Sequence, residues 1–151
     1  MIGLDVGDVR VGIAAADGLG LTAQGLPTIL RRGSSEDYDQ VIRVIEERKA
    51  RRLIVGLPRN MDGSVGPQGE KVRAYADALF ERIRELGLET PELVFWDERL
   101  STVAANKTLI AADVSRKKRK GVVDKLAATL ILQGYLDREY SKKKAEELKN
   151  D

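Results

Sequence analysis

Leu53, Ile54 and Val55 form an apolar run without a polar interruption, Leu93 to Trp96 form a second, and one helical period from about Pro67 to Leu86 lies between them. Two strands separated by a single helix lie side by side only in parallel, joined by a right-handed crossover, and a strand without alternation is buried on both faces. The rest of the chain has to be arranged around that unit. At the start the pattern differs: Ile2, Leu4 and Val6 alternate with Gly3, Asp5 and Gly7, and the alternation resumes at Val9, Val11 and Ile13. An antiparallel hairpin turning near Gly7 and Asp8 is expected. Leu19 to Leu30, broken by Gly25 and Pro27, reads as a third, irregular strand. A helix over about Glu36 to Lys49 follows, capped by Ser34 or Ser35, with Val41, Ile42 and Ile45 turned inward. After the last strand a helix is expected from Ser101 or Thr102 to about Ala111, then a basic loop, then a final helix from about Val123 to Tyr140. The expected fold class is α/β: a five-stranded mixed sheet with helices on both faces, in one domain over residues 1–140, followed by a charged, frayed tail over residues 141–151.

The chain has 151 residues, enough for one self-sufficient core, and contains neither histidine nor cysteine. Disulfides, thiolate metal sites, Ser-His-Asp catalysis and histidine-ligated zinc are thereby excluded. Catalysis has to run on carboxylates, Lys, Ser, Thr or Tyr, and the natural metal is a hard, oxygen-ligated ion such as Mg²⁺ or Mn²⁺. No stretch is long and apolar enough for a membrane span and the start does not read as an export signal, so a cytoplasmic protein without a membrane partner is expected. The formal charge of +2 is small, but the basic residues are clustered, at Arg31 and Arg32, at Arg48 to Arg52, at Arg116, Lys117, Lys118, Arg119 and Lys120, and at Lys142 to Lys144. Such patches attract phosphate backbones, although each is also compatible with a solvated helix end.

Three carboxylates stand out. Asp5 shares a strand face with Gly3 and Gly7, which reads as space kept open beside it. A buried carboxylate without compensation is strongly unfavourable, so Asp5 needs a cation, a set of donors or, as a purely structural alternative, Arg10 across the hairpin. Asp97 and Glu98 end the last strand, and alternation turns them to opposite faces without choosing between them. Asp124 tops the helical stripe of Ala127, Ala128, Ile131 and Tyr135 and points toward the sheet, where it is either a ligand or a charge complementing the helix dipole. Together, carboxylates from a first strand, a late strand end and a last helix supply what a Mg²⁺ or Mn²⁺ site requires. Two such ions, about 4 Å apart, can activate water and stabilise the leaving oxygen of a phosphodiester without histidine.

The stretches GLDVGDVRVGIA, IVGLPRNMDGSVGPQ, DERLST and KKRKGVVDKLAATLILQGYLD, in this order over nearly the whole chain, resemble the YqgF family, also called RuvX. The resemblance implies a ribonuclease H-like fold, with Asp5, Glu98 and Asp124 at the family's acidic catalytic and metal-binding positions, and so favours Glu98 over Asp97. It implies a Mg²⁺- or Mn²⁺-dependent endonuclease on structured nucleic acid, acting in 5′-end maturation of precursor 16S ribosomal RNA during ribosome biogenesis. Resolution of four-way DNA junctions and non-catalytic RNA binding are the alternatives. Expected partners are precursor ribosomal RNA or branched DNA and the ribosome or its precursors, bound by a monomer or homodimer. Arg59, Asn60, Asp62, Gly63 and Ser64 match the family's middle motif, and the donors of Arg59, Asn60 and Ser64 are expected to hold phosphates. Arg10 matches the first-motif arginine, a phosphate contact, and the run from Arg116 to Lys120 lies where a backbone would pass Asp124. Two features depart from the pattern: the positions three residues from Asp124 are Gly121 and Ala127 rather than a fourth acidic residue, and VAANKT after DERLST is short of acids. A glycine-flanked aspartate in a first hairpin also suits the phosphate loop of actin-like and sugar-kinase-like ATPases, but those clasp nucleotide between two such domains. Few aromatics are left for stacking, with Trp96 expected in the core, so recognition by shape and backbone is favoured over base reading.

Overall fold

The computed structural model describes residues 1–100 and 116–150, with side chains in the last helix from Val123 onward. In chain order the elements are β1 (Ile2–Val6), β2 (Arg10–Ala16), β3 (Ala23–Leu30), α1 (Glu36–Glu47), β4 (Arg52–Leu57), α2 (Pro67–Glu85), β5 (Glu92–Asp97), a 3₁₀ turn (Glu98–Leu100) and α3 (Arg116–Lys149). The expected helix from Ser101 or Thr102 to Ala111 lies outside the described residues, as do the side chains of Arg116 to Lys120.

The strands form one sheet in the order β3-β2-β1-β4-β5. β1 and β2 pair antiparallel around the Gly7–Asp8 turn, β2 and β3 likewise, and β1, β4 and β5 run parallel. This is the expected mixed sheet. Alternation along β1 sorts its side chains: Ile2, Leu4 and Val6 join Val41, Ile45, Val72 and Leu79 of α1 and α2 on one face. On the other face Ala14, Ile54 and Trp96 pack against Ala127, Ala128, Ile131 and Leu132 of α3. Among the described residues, no helix is long and apolar enough to cross a membrane.

Three boundaries differ from expectation. β3 begins only at Ala23, because Asp17 accepts the N–H of Leu21 and the hydroxyl of Thr22, both at 2.8 Å, and folds the residues between into a turn. α3 begins at Arg116, so the basic run opens the helix rather than forming a loop, and it continues past Tyr140 to Lys149. Lys, Arg, Glu and Ala are all good helix formers, and the Glu139–Lys142 pair at 3.8 Å braces the exposed extension over residues 141–149.

The start of α1 is held differently from expectation as well. Ser35 stands at the N-cap but makes no side-chain capping bond. Asp37, only 3% exposed, reaches back instead and accepts the N–H groups of Arg32 and Gly33 at 2.8 Å each. Asp37→Ala is therefore expected to destabilise the protein by about 1–2 kcal/mol, since it strips two backbone donors of their acceptor; urea denaturation measures this, and Ser35→Ala should change the midpoint far less.

Candidate active site

Because β1, β4 and β5 run parallel, their C-terminal ends share one edge of the sheet, the place where open α/β sheets present their chemistry. Asp5 lies near the end of β1 and is 5% exposed. It shares its face with Gly3, where an added Cβ would lie 2.8 Å from Leu132 Cβ of α3, so Asp5 looks toward the last helix.

Two glycines in the neighbouring strands decide what meets it there. Gly12 is the cross-strand partner of Asp5, and a Cβ on it would lie 2.0 Å from the backbone oxygen of Asp124. The turn of α3 that carries Asp124 thus rests directly on β2 beside Asp5. On the other flank, Val55 pairs with Leu4, so Gly56 is the next residue along β4 as Asp5 is along β1. A Cβ on Gly56 would lie 2.9 Å from Glu98 Oε1 and 2.4 Å from Ile131 Cδ1. The missing side chains at Gly12 and Gly56 form a recess that admits the Asp124 backbone from one side and Ile131 with the Glu98 carboxylate from the other.

This corrects the reading of the flanking glycines. Gly3 leaves no open space, since Leu132 fills it, and Gly7 serves the hairpin: its N–H donates to Arg10 O at 2.8 Å, the same oxygen a Cβ would meet. Gly12 and Gly56 are occupied as closely, but by the Asp124 backbone and by Ile131 and Glu98, so they allow close approach beside Asp5. Both positions were visible only as glycines inside strand patterns, a signal of close backbone approach. Arg10 is not the residue opposite Asp5; it pairs in register with Leu30 of β3.

Asp97 and Glu98 part as alternation requires. The Asp97 carboxylate receives Arg99 Nε at 3.1 Å and Nη2 at 2.8 Å, with Arg59 Nε at 3.8 Å, while Glu98 reaches over Gly56. Hydrogen bonding from Arg99 holds the Asp97 carboxyl below its ordinary value, with the charges of Arg99 and Arg59 adding to the effect. Asp97 is thus occupied by cations of its own.

The loop between β4 and α2 is closed on itself. Asn60 N donates to Ser64 O and Gly63 N to Asn60 O, both at 2.9 Å, with Gly63 in the left-handed region at φ 89°. The side chains of Asn60 and Ser64 bond to each other at 2.9 Å, and Asp62 Oδ1 accepts both the N–H and the hydroxyl of Ser64. The Asn60 and Ser64 side chains, expected at the substrate, bond within the loop. Arg59 donates to Gly63 O at 3.1 Å with about a third of its side chain exposed, and Met61 at the tip is fully exposed.

Asp5, Glu98 and Asp124 offer only carboxylate oxygens, the donor set of a hard divalent cation. Among the described residues no group of three acidic side chains is gathered closely enough to hold one.

Comparison with known proteins agrees with this architecture. Residues 1–138 match the family model described as "RuvX: Holliday junction resolvase". A "Putative pre-16S rRNA nuclease" of Halothermothrix orenii is 53% identical over 137 residues, which cover 91% of this chain and 94% of that one. A protein of the same name from Clostridioides difficile is 50% identical over 137 residues, or 91% and 93%. Among solved structures, "T. thermophilus RuvC in complex with Holliday junction substrate" superposes with a TM-score of 0.54 at 16% identity, covering 92% of this chain and 96% of that one. That likeness is one of fold, and it makes the sheet ribonuclease H-like. With the match running from the first strand through Asp124 and most of the last helix, the chain belongs to the RuvX family.

Proposed function

We propose that this protein is a nuclease that hydrolyses phosphodiester bonds in structured nucleic acid, with the 5′ region of precursor 16S ribosomal RNA as its preferred substrate. The observation that carries the reading is the recess at Gly12 and Gly56, which brings Asp124 and Glu98 to the two flanks of buried Asp5. The names of relatives at about half identity support the choice of substrate.

Asp5, Glu98 and Asp124 would hold Mg²⁺ or Mn²⁺, their final approach to one another being part of the proposal. When bound, such an ion supplies Lewis-acid polarisation of the phosphate and lowers the pKa of water. The protein's own part is positional. Burial of Asp5 fixes its carboxylate against the sheet, the two glycines let the Asp124 backbone and Glu98 approach closely on its flanks, and α3 carries Asp124 in at the end of its basic opening turns. Arg59, Arg10 and the run Arg116 to Lys120 would hold the nucleic-acid backbone across this edge, contacts that position a substrate without reading its sequence.

The test is cleavage of an end-labelled precursor 16S fragment and a four-way DNA junction side by side, with Mg²⁺, Mn²⁺ or EDTA. Cutting of the RNA that needs the metal is the expected result. Cutting of the junction alone would make the protein a resolvase, and tight RNA binding with no cutting of either would make it a regulator.

A further inference from the structure

Asp97 lies next to the proposed ligand Glu98 yet faces away from the recess, and its contacts reach two separate pieces of the site. Its Oδ1 accepts the backbone N–H of Arg99 at 3.0 Å, a side-chain turn that spans Glu98. Both of its oxygens accept from the Arg99 side chain, Nε at 3.1 Å and Nη2 at 2.8 Å. The remaining Arg99 nitrogen, Nη1, points at the carbonyl oxygens of Asn60 at 3.5 Å and Met61 at 3.4 Å, and its guanidinium lies 3.6 Å from where a Cβ on Gly63 would stand. Arg59 closes the ring, with Nε 3.8 Å from Asp97 Oδ2 and Nη1 on Gly63 O. Asp62 also feels Arg99 and is tied into the loop by Ser64.

We propose that Asp97 is a positioning residue with two separable tasks: through Oδ1 it sets the turn that carries Glu98, and through Arg99 and Arg59 it locks the β4–α2 loop beside that carboxylate. An isolated surface ion pair would not support this, since exposed pairs contribute little. Here the carboxylate takes a forked guanidinium, and that guanidinium bridges segments almost forty residues apart. Most Arg99 donors are engaged within the protein, while Arg59 stays about a third exposed and is held beside Asp97. The inference rests on the nuclease reading for its kinetic consequences but not for its structural ones.

Three variants separate the tasks. Asp97→Asn keeps an oxygen for the Arg99 N–H but loses the charge that holds the guanidiniums; Arg99→Gln breaks the tie to the loop; Asp97→Ala removes both functions. Asp97→Asn and Arg99→Gln are expected to raise KM for the RNA roughly tenfold with kcat within about twofold, whereas Asp97→Ala also lowers kcat by roughly tenfold or more. Amide hydrogen exchange reads the same division without any activity. Exchange at Asn60, Gly63 and Ser64 should accelerate in all three variants, and exchange at Arg99 only in Asp97→Ala. Wild-type exchange at the loop amides in all three, or loss of kcat as complete in Asp97→Asn as in Asp97→Ala, would overturn the proposal. A wild type that cuts nothing refutes the nuclease reading instead, and the exchange pattern still decides this one.

Discussion

Gly12→Val is expected to yield a protein destabilised by about 3 kcal/mol or more and without nuclease activity, the combined outcome of overpacking and a displaced helix. A Cβ at this position would lie 2.0 Å from the oxygen and 2.5 Å from the carbonyl carbon of Asp124, and 3.2 Å from the nitrogen of Lys125. All three atoms are backbone, so no rotamer change relieves the clash; α3 around Asp124 has to lift off the sheet. That motion strains the packing of Ala127, Ala128 and Ile131, each at most 1% exposed, and carries Asp124 away from Asp5. Gly25→Ala is the control. Its Cβ would meet Lys125 Cγ at 2.7 Å and Cε at 2.8 Å, atoms of a flexible exposed side chain that can swing aside. Guanidinium denaturation and the RNA cleavage assay on both variants check this. A Gly12→Val protein as stable and as active as Gly25→Ala would mean that the recess does not position the site.

The sheet was legible from the chain because its signals are local. The uninterrupted run Leu53 to Val55 could only be a doubly covered parallel strand, and the alternation through Gly7 and Asp8 could only be a hairpin. Asp5 and the inward stripe from Asp124 to Tyr135 were legible for the same reason: each follows from the period of one element. What escaped depends on neighbours distant in sequence. Gly3 and Gly12 look alike within their strands, and only the placement of α3 makes one a seat for Leu132 and the other a seat for the Asp124 backbone. Alternation likewise left Asp97 an undecided twin of Glu98; the family resemblance favoured Glu98, but what Asp97 does instead became visible only with Arg99 and the loop around Gly63 in place. The start of α3 was hidden for a different reason: Lys- and Arg-rich segments serve equally well as loops and as helices, so composition alone did not choose.

Asp5→Asn is expected to lower the rate of metal-dependent cleavage by roughly two to three decades, because several kcal/mol of charge stabilisation depend on the carboxylates. The substitution is nearly isosteric, so the pairing of residue 5 with Gly12 and the burial of Leu4 and Val6 on the opposite face should survive, and the thermal midpoint should stay close to that of the wild type. RNA affinity in EDTA should also persist, since the proposed backbone contacts come from Arg59, Arg10 and the start of α3 and not from Asp5. The purely structural role for Asp5 makes the opposite forecast: a buried charge that served only to satisfy protein donors would, once neutralised, leave a destabilised fold and an unchanged rate per folded molecule. Measuring the midpoint, the EDTA affinity and the Mg²⁺ dependence of cleavage on one preparation separates the two. Loss of rate with fold and affinity retained assigns the carboxylate to chemistry. Loss of fold with the rate per folded molecule intact would return Asp5 to the scaffold and leave Glu98 and Asp124 too few to carry the reaction.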